Sequence, residues 1–129
     1  MESTVLQSNR AIISALSYSS TGMLLAAGDS TGKIVLYSRV KEGEYTVQTT
    51  RWAFHTGRVN KIAWNAKDTH VATAALDTNL YIYCVESPGK YIRFLGAHRD
   101  GVNAVDWVDD GKIVSVGSDG TVKLWEVKI

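Results

Sequence analysis

Three stretches decide the fold: Ile13–Gly22 (ISALSYSSTG), Val59–Asp68 (VNKIAWNAKD) and Val102–Gly111 (VNAVDWVDDG). They begin 46 and 43 residues apart and keep step when laid one under another. A second short apolar run follows each: MLLAAG from Met23, HVATAA from His70 and KIVSVG from Lys112. After a polar turn comes a third: KIVLY from Lys33, NLYIY from Asn79 and TVKLW from Thr121. Self-similarity at such a period marks a chain built from one supersecondary unit used again and again.

The runs read as strands. They are short, rich in Val, Ile, Tyr, Trp and Thr, and bounded by Gly, Asp, Asn and Ser. No window sustains the i, i+3, i+4, i+7 pattern of an amphipathic helix. Further strands are predicted between the units at Glu44–Arg51 and Lys90–Leu95, with Thr4–Gln7 as their equivalent ahead of the first. Pro88-Gly89 marks a turn just before the last of these. The expectation is twelve antiparallel strands in three units, approximately 4–40, 44–86 and 90–129. The middle strands carry small residues, Ala26-Ala27-Gly28, Ala72-Thr73-Ala74 and Ser115-Val116-Gly117, which let neighbouring twisted sheets approach closely.

Composition narrows the function classes. The chain has 129 residues, 45% of them hydrophobic, too many for a disordered tail. Its 14 Lys+Arg and 13 Asp+Glu leave a net charge of +1, with no broad basic footprint for nucleic acid or a membrane surface. The single cysteine, Cys84, allows no intrachain disulfide and no Cys-rich zinc site, and it fits a reducing compartment. The Met1–Gln7 stretch lacks the basic and apolar regions of a signal peptide, and no apolar run approaches the ~20 residues of a spanning helix. A cytoplasmic protein is the expectation.

A polar constellation recurs along with the strands. The third unit has His98, Ser115, Asp119 and Trp125; the second has His55, Thr73, Asp77 and Tyr83. In both, hydroxyl and acid are four residues apart and acid and aromatic six. At the same spacing the first unit holds Asn9, Ala27, Thr31 and Tyr37. With the period, this set resembles the WD-repeat β-propellers, although the WD dipeptide is replaced by Trp125-Glu126 and Tyr83-Cys84. The resemblance implies an all-β fold of three four-stranded antiparallel blades, and a buried hydrogen-bonded chain through each tetrad. Such a network stabilises only when every member is paired.

A narrower similarity, to the C-terminal part of the actin-interacting protein 1 family, is carried by AAGDSTGKIVLY, RWAFHTGRVNKIAW, ATAALDTNLYIY and GAHRDGVNAVDW. It implies a non-catalytic cytoplasmic protein of the actin cytoskeleton that acts with cofilin in filament disassembly, without cofactor or metal. The broader alternative is a WD-repeat interaction scaffold unrelated to actin.

Other motifs weigh less. Gly28-Asp29-Ser30-Thr31-Gly32 matches G-x-S-x-G, but a nucleophile elbow needs a helix behind it, and a strand follows here. His55 and His98 recur at one repeat position, which suits a scaffold better than a single active site. Arg58, Arg99 and Asp100 fall in loops on one face and are candidate partner contacts, against the plainer reading of solvated loop charge. Trp52 stands outside the repeat-equivalent aromatics; a surface hot spot and packing at a blade edge are both open. Finally, a propeller ring has ~4–8 blades, so three are expected to form an open array whose edges self-associate, as a piece of a larger ring or as half of a six-bladed one.

Overall fold

The computed structural model describes residues 3–129; Met1 and Glu2, at the head of the polar N-terminal stretch, lie outside the described residues. Eleven strands form three antiparallel sheets and, among the described residues, no helix. The first sheet is β1 (Ile13–Tyr18), β2 (Leu24–Asp29), β3 (Ile34–Lys41) and β4 (Glu44–Trp52), in that order. The second is β5 (Val59–Trp64), β6 (His70–Ala75), β7 (Leu80–Cys84) and β8 (Tyr91–Phe94). The third has only β9 (Val102–Asp109), β10 (Lys112–Gly117) and β11 (Val122–Glu126).

Each sheet is a meander, because its connections are short hairpins that can join only antiparallel neighbours. The register repeats: Ala26 faces Leu36, Ala72 faces Ile82 and Val114 faces Leu124. The outer strands β4 and β8 pair with the strands that precede them, so the sheets are offset by one strand from the repeats as read in sequence.

Two expectations are corrected. There are eleven strands, not twelve, because Thr4–Gln7 forms none. A strand exists only against a partner's backbone, and the outer place in the first sheet is taken by β4; Thr4 Oγ1 instead donates to Gly43 O at 3.0 Å. For the same reason the third unit is a three-stranded blade with β11 at its edge.

The sheets stack in chain order, β5 on β1 and β2, and β9 on β5 and β6. One core lies between the first two sheets, with Ala26, Ile34, Leu36 and Trp52 against Val59, Ile62, Val71, Tyr81 and Tyr83. Another joins Ala72, Ala74, Leu80 and Ile82 to Val102, Val105 and Ile113. Each fully buried Leu or Ile contributes about 1.5–3 kcal/mol. Small residues set the spacing: a Cβ on Gly28 would stand 2.8 Å from Val59 Cγ1, closer than carbon atoms approach.

Side chains stitch the same seams. Ser14 Oγ donates to Val59 O at 2.6 Å and Asn60 Nδ2 to Val102 O at 2.8 Å. In the reverse direction, the indoles of Trp64 and Trp107 donate to Ser17 O at 3.1 Å and Ala63 O at 2.9 Å. The indoles of Trp64 and Trp107 thus hold the register between blades.

Candidate functional site

The polar chain of the third blade is complete. His98 enters from the loop before β9 and is fully buried. Its Nδ1 lies 2.9 Å from Asp119 Oδ1 and its Nε2 2.8 Å from Ser115 Oγ, while Trp125 Nε1 donates to that same hydroxyl at 2.9 Å. The partners fix the direction. The indole N–H can only donate, so the serine hydroxyl is free to donate to Nε2, and Nδ1–H donates to the carboxylate. Asp119 also receives Thr121 Oγ1 at 2.8 Å. Burial alone would raise its pKa, but the hydrogen bonds from His98 and Thr121 outweigh that and hold the carboxyl well below the usual range. Four residues from the entry loop, β10, the following hairpin and β11 are thereby tied across the blade.

The second blade makes the acid end of this chain and not the aromatic end. His55 Nδ1 lies 3.1 and 2.9 Å from the two oxygens of Asp77, and Nε2 lies 2.8 Å from Thr73 Oγ1. Asp77 also accepts Thr56 N at 2.8 Å, and these bonds lower its pKa against the upward pull of burial. The Thr73 hydroxyl turns to Tyr81 O at 3.0 Å. Tyr83 stays outside the chain: its buried hydroxyl has no hydrogen-bond partner among the described residues. Burial pushes its pKa upward. A phenol places its polar atom at the far end of the ring, whereas an indole carries N–H on its side, so Tyr83 does not bind the Thr73 hydroxyl as Trp125 binds that of Ser115.

Tyr83 instead stacks on Trp52, with ring centroids 5.0 Å apart and planes inclined by 12°. Trp52 is completely buried, which removes it as a surface contact; it packs in the seam between the first two sheets. The neighbouring Phe54 remains 39% exposed and lies 4.3 Å from Tyr91, centroid to centroid. The Arg51-Trp52-Ala53-Phe54 stretch therefore joins two blades through aromatic packing.

In the first blade the sequence spacing points to the wrong acid. Thr31 takes the place of Asp77 and Asp119, but the carboxylate comes from Asp29, two residues earlier. Asp29 Oδ1 accepts Thr31 N at 2.9 Å and Thr31 Oγ1 at 2.6 Å. Asn9, at the histidine position, reaches Asp29 Oδ2 at 3.4 Å and Ala27 O at 3.1 Å, and accepts Tyr37 OH at 3.2 Å. The hairpin bonds place Asp29 opposite Gly117 of the third blade, since Gly32 and Gly120 donate back to Asp29 O and Gly117 O. A Cβ at Gly117 would meet His98 Cγ at 2.3 Å. In the third blade the ring fills the space that a Cβ at 117 would need, in the second Ala75 stands at the same hairpin position beside His55, and in the first, beside the shorter asparagine, the position holds an aspartate. The D-x-T pattern shared by Asp29-Ser30-Thr31 and Asp119-Gly120-Thr121 was the available signal for this acid.

Ser30 of the G-x-S-x-G match sits in the turn from β2 to β3, with its N–H donating to Ile12 O at 2.8 Å and Asp29 engaged by Thr31. Arg58, Arg99 and Asp100 are exposed on loops beside the buried histidines. Arg99 Nε and Asp100 Oδ2 are 3.9 Å apart with 83% and 63% of their side chains exposed, a pair worth little in water.

Comparisons with known proteins follow this geometry. A family model described as "WD domain, G-beta repeat" matches residues 46–84 and 89–126. An uncharacterized WD repeat-containing protein of Schizosaccharomyces pombe is 50% identical over 115 residues, 89% of this chain and 19% of its own length. Actin-interacting protein 1 of Caenorhabditis elegans is 33% identical over 117 residues, 89% of this chain and 19% of its own. The chain thus spans about a fifth of the length of these relatives. The crystal structure of the RRP9 WD40 repeats superposes with a TM-score of 0.78 at 21% identity, over 95% of this chain and 37% of that one, a likeness of fold alone. Period, blade topology, the His–Asp braces and the family match converge: the chain belongs to the WD-repeat family.

Proposed function

We propose that the chain is a non-catalytic part of an actin-regulatory WD-repeat protein, promoting cofilin-dependent disassembly of actin filaments in the cytoplasm. The observation that carries this reading is its 33% identity, over 89% of its length, to a protein named for its interaction with actin. The His–Asp pairs support a scaffold rather than a catalyst. Each histidine has both nitrogens engaged inside its own blade and its side chain shut off from solvent, so neither is free to move a proton on a substrate.

The chemistry on offer to a partner is the loop face. Arg58, Arg99 and Asp100 are its charged contacts, with Arg58 and Arg99 poised for acidic groups on a protein surface. Co-sedimentation of the chain with actin filaments, with and without cofilin, tests the proposal. Pelleting that depends on cofilin and falls for Arg58→Ala and Arg99→Ala is the expected result. No pelleting under either condition favours a WD-repeat scaffold for a different protein partner.

A further inference from the structure

The hairpin between β6 and β7, Ala75–Asn79, departs from the repeat twice. Its turn is set by Thr78 N donating to Ala75 O, as Gly32 N donates to Asp29 O and Gly120 N to Gly117 O in the other blades. Thr78 therefore stands where they have glycine. All three share the left-handed backbone, with φ of +78° at Thr78, +102° at Gly32 and +78° at Gly120. Glycine enters that region freely, whereas a β-branched residue there is strained. One residue after the anchoring carbonyl, Leu76 stands where the others have Ser30 and Ser118, and it is 55% exposed. A lone exposed leucine is ordinary on a protein surface. Here an apolar residue replaces two serines in the same turn in which a strained threonine replaces two glycines. The fold does not require either, since two blades are built without them, and strain kept without a structural need points to function.

This hairpin lies between two arginine loops. Leu76 N donates to Arg58 O at 2.8 Å, in the loop before β5. On its other side Leu76 packs on Gly101: a Cβ there would stand 3.1 Å from Leu76 Cδ1, so the glycine leaves that flank bare. Gly101 directly follows Arg99 and Asp100, and His98 N donates to Thr78 O at 3.3 Å. The central sheet is flanked by a sheet on each side, so both walls of this surface belong to the chain. The carboxylate of the hairpin itself, Asp77, is taken up by His55 and Thr56. Among the described residues Arg58 forms no ion pair, and Arg99 meets only the exposed Asp100, at 3.9 Å.

We propose that Leu76, with Arg58 and Arg99 on either side, is the docking point for an acidic protein segment that carries one large apolar side chain. The apolar side chain covers Leu76 and the bare flank of Gly101. The carboxylates beside it meet the two guanidiniums, whose planar fork grips a carboxylate with paired bonds. Threonine has fewer backbone conformations than glycine, so the turn beneath Leu76 is held before the partner arrives. The proposal rests on the reading that the loop face meets a protein partner, and it names the chemistry of the part that is gripped.

Nuclear magnetic resonance of the isotope-labelled 129-residue chain tests this, with the peptide GDEFEDG as probe. Saturable shifts of the Arg58, Leu76 and Gly101 amides are expected. GDESEDG lacks the apolar side chain and GKKFKKG reverses the charge; each should bind roughly ten-fold more weakly or worse. Leu76→Ser, which restores the residue of the other blades, should lose as much. Arg58→Gln and Arg99→Gln should each weaken binding several-fold and flatten its dependence on salt. Thr78→Gly should raise the melting temperature by relieving the backbone and weaken binding by loosening the turn. Val40→Ser, an exposed position near the opposite end of β3, should change neither. Failure of GDEFEDG to bind at millimolar concentration, shifts confined to other parts of the chain, equal binding of either control peptide, or binding unchanged by Leu76→Ser or by Thr78→Gly would each overturn the proposal. Actin and cofilin are absent from the titration. A chain that grips the peptide and ignores actin filaments therefore overturns the actin reading alone, and one that pellets with actin and ignores the peptide overturns this proposal alone.

Discussion

The first and third blades solve the same problem with different parts. Both must tie an entry loop to a β-hairpin, across strands whose backbone bonds do not reach that far. The third uses a directional chain from indole to hydroxyl to imidazole to carboxylate, with every buried polar atom paired. The first uses a short amide and a carboxylate moved two residues along the chain, with a 3.4 Å contact between them. The comparison teaches that the tie from entry loop to hairpin is kept while its parts change, and that the strand position of Gly117 and Asp29 lies against it, without a side chain beside His98 and supplying the carboxylate itself beside Asn9. A buried network of short, fully satisfied bonds is worth more than a partly exposed one with a long link.

The sharpest way to break the comparison is at that strand position. Gly117→Ala should be the most damaging change in the chain, because the new methyl group displaces the His98 ring from both of its partners; overpacking of this kind costs roughly 1–3 kcal/mol, occasionally more, and the loss of the brace adds to it. Urea denaturation should show a lower midpoint than for any other variant discussed below. His98→Ala comes next, leaving Ser115 and Asp119 short of a partner at a cost of about 1–3 kcal/mol. Asn9→Ala, its counterpart in the first blade, should cost less in the same titration. Equal midpoints for these two would mean that the two braces are interchangeable.

Within the third blade, Asp119→Ala should lower the melting temperature well beyond Asp109→Ala or Asp110→Ala. Asp109 caps only Gly111 N, and Asp110 meets Lys67 at 3.4 Å on an exposed surface. Thermal unfolding of the three variants checks the order.

Acid separates the blades more gently. The Asp29, Asp77 and Asp119 carboxyls all titrate below their ordinary value in the folded chain. In the unfolded chain an aspartate titrates near ~3.9, so between the two values the unfolded state binds more protons. Stability from these groups is therefore complete above about pH 4 and falls as pH drops through the folded values. Asp119→Asn and Asp77→Asn should each flatten the decline of unfolding free energy below that pH; an unchanged slope would show that the carboxylates do not carry it. The smallest expected effect is in hydrogen exchange. Amides of β1, beneath the exposed Leu16, should exchange faster than those of the equivalent β5, which is covered on both faces.

Most of the architecture was legible before any coordinates. The three aligned stretches at Ile13, Val59 and Val102 place the strands, because a repeated period and alternating β-branched and aromatic residues are local properties of the chain. Spacing showed that the same polar residue types recur at equal offsets; that His98 pairs with Ser115, Asp119 and Trp125, and His55 with Thr73 and Asp77, was what the resemblance to WD-repeat propellers implied. What spacing could not supply was reach. The resemblance put Tyr83 in a chain that its hydroxyl misses, and spacing passed over Asp29, because the atom at the end of a side chain is placed by ring shape and by the volume left by neighbours. Trp52 belongs to the same class: its burial depends on a stacking partner from the following sheet. Whether Thr4–Gln7 forms a strand likewise depends on an edge being open to it, and only the packing of the sheets shows that β4 takes the outer place in the first and leaves β11 uncovered in the third. The sequence determined which segments become strands and which polar residues recur; the tertiary structure decided which polar atoms meet, because bonding depends on distances of a few tenths of an ångström that no periodicity encodes.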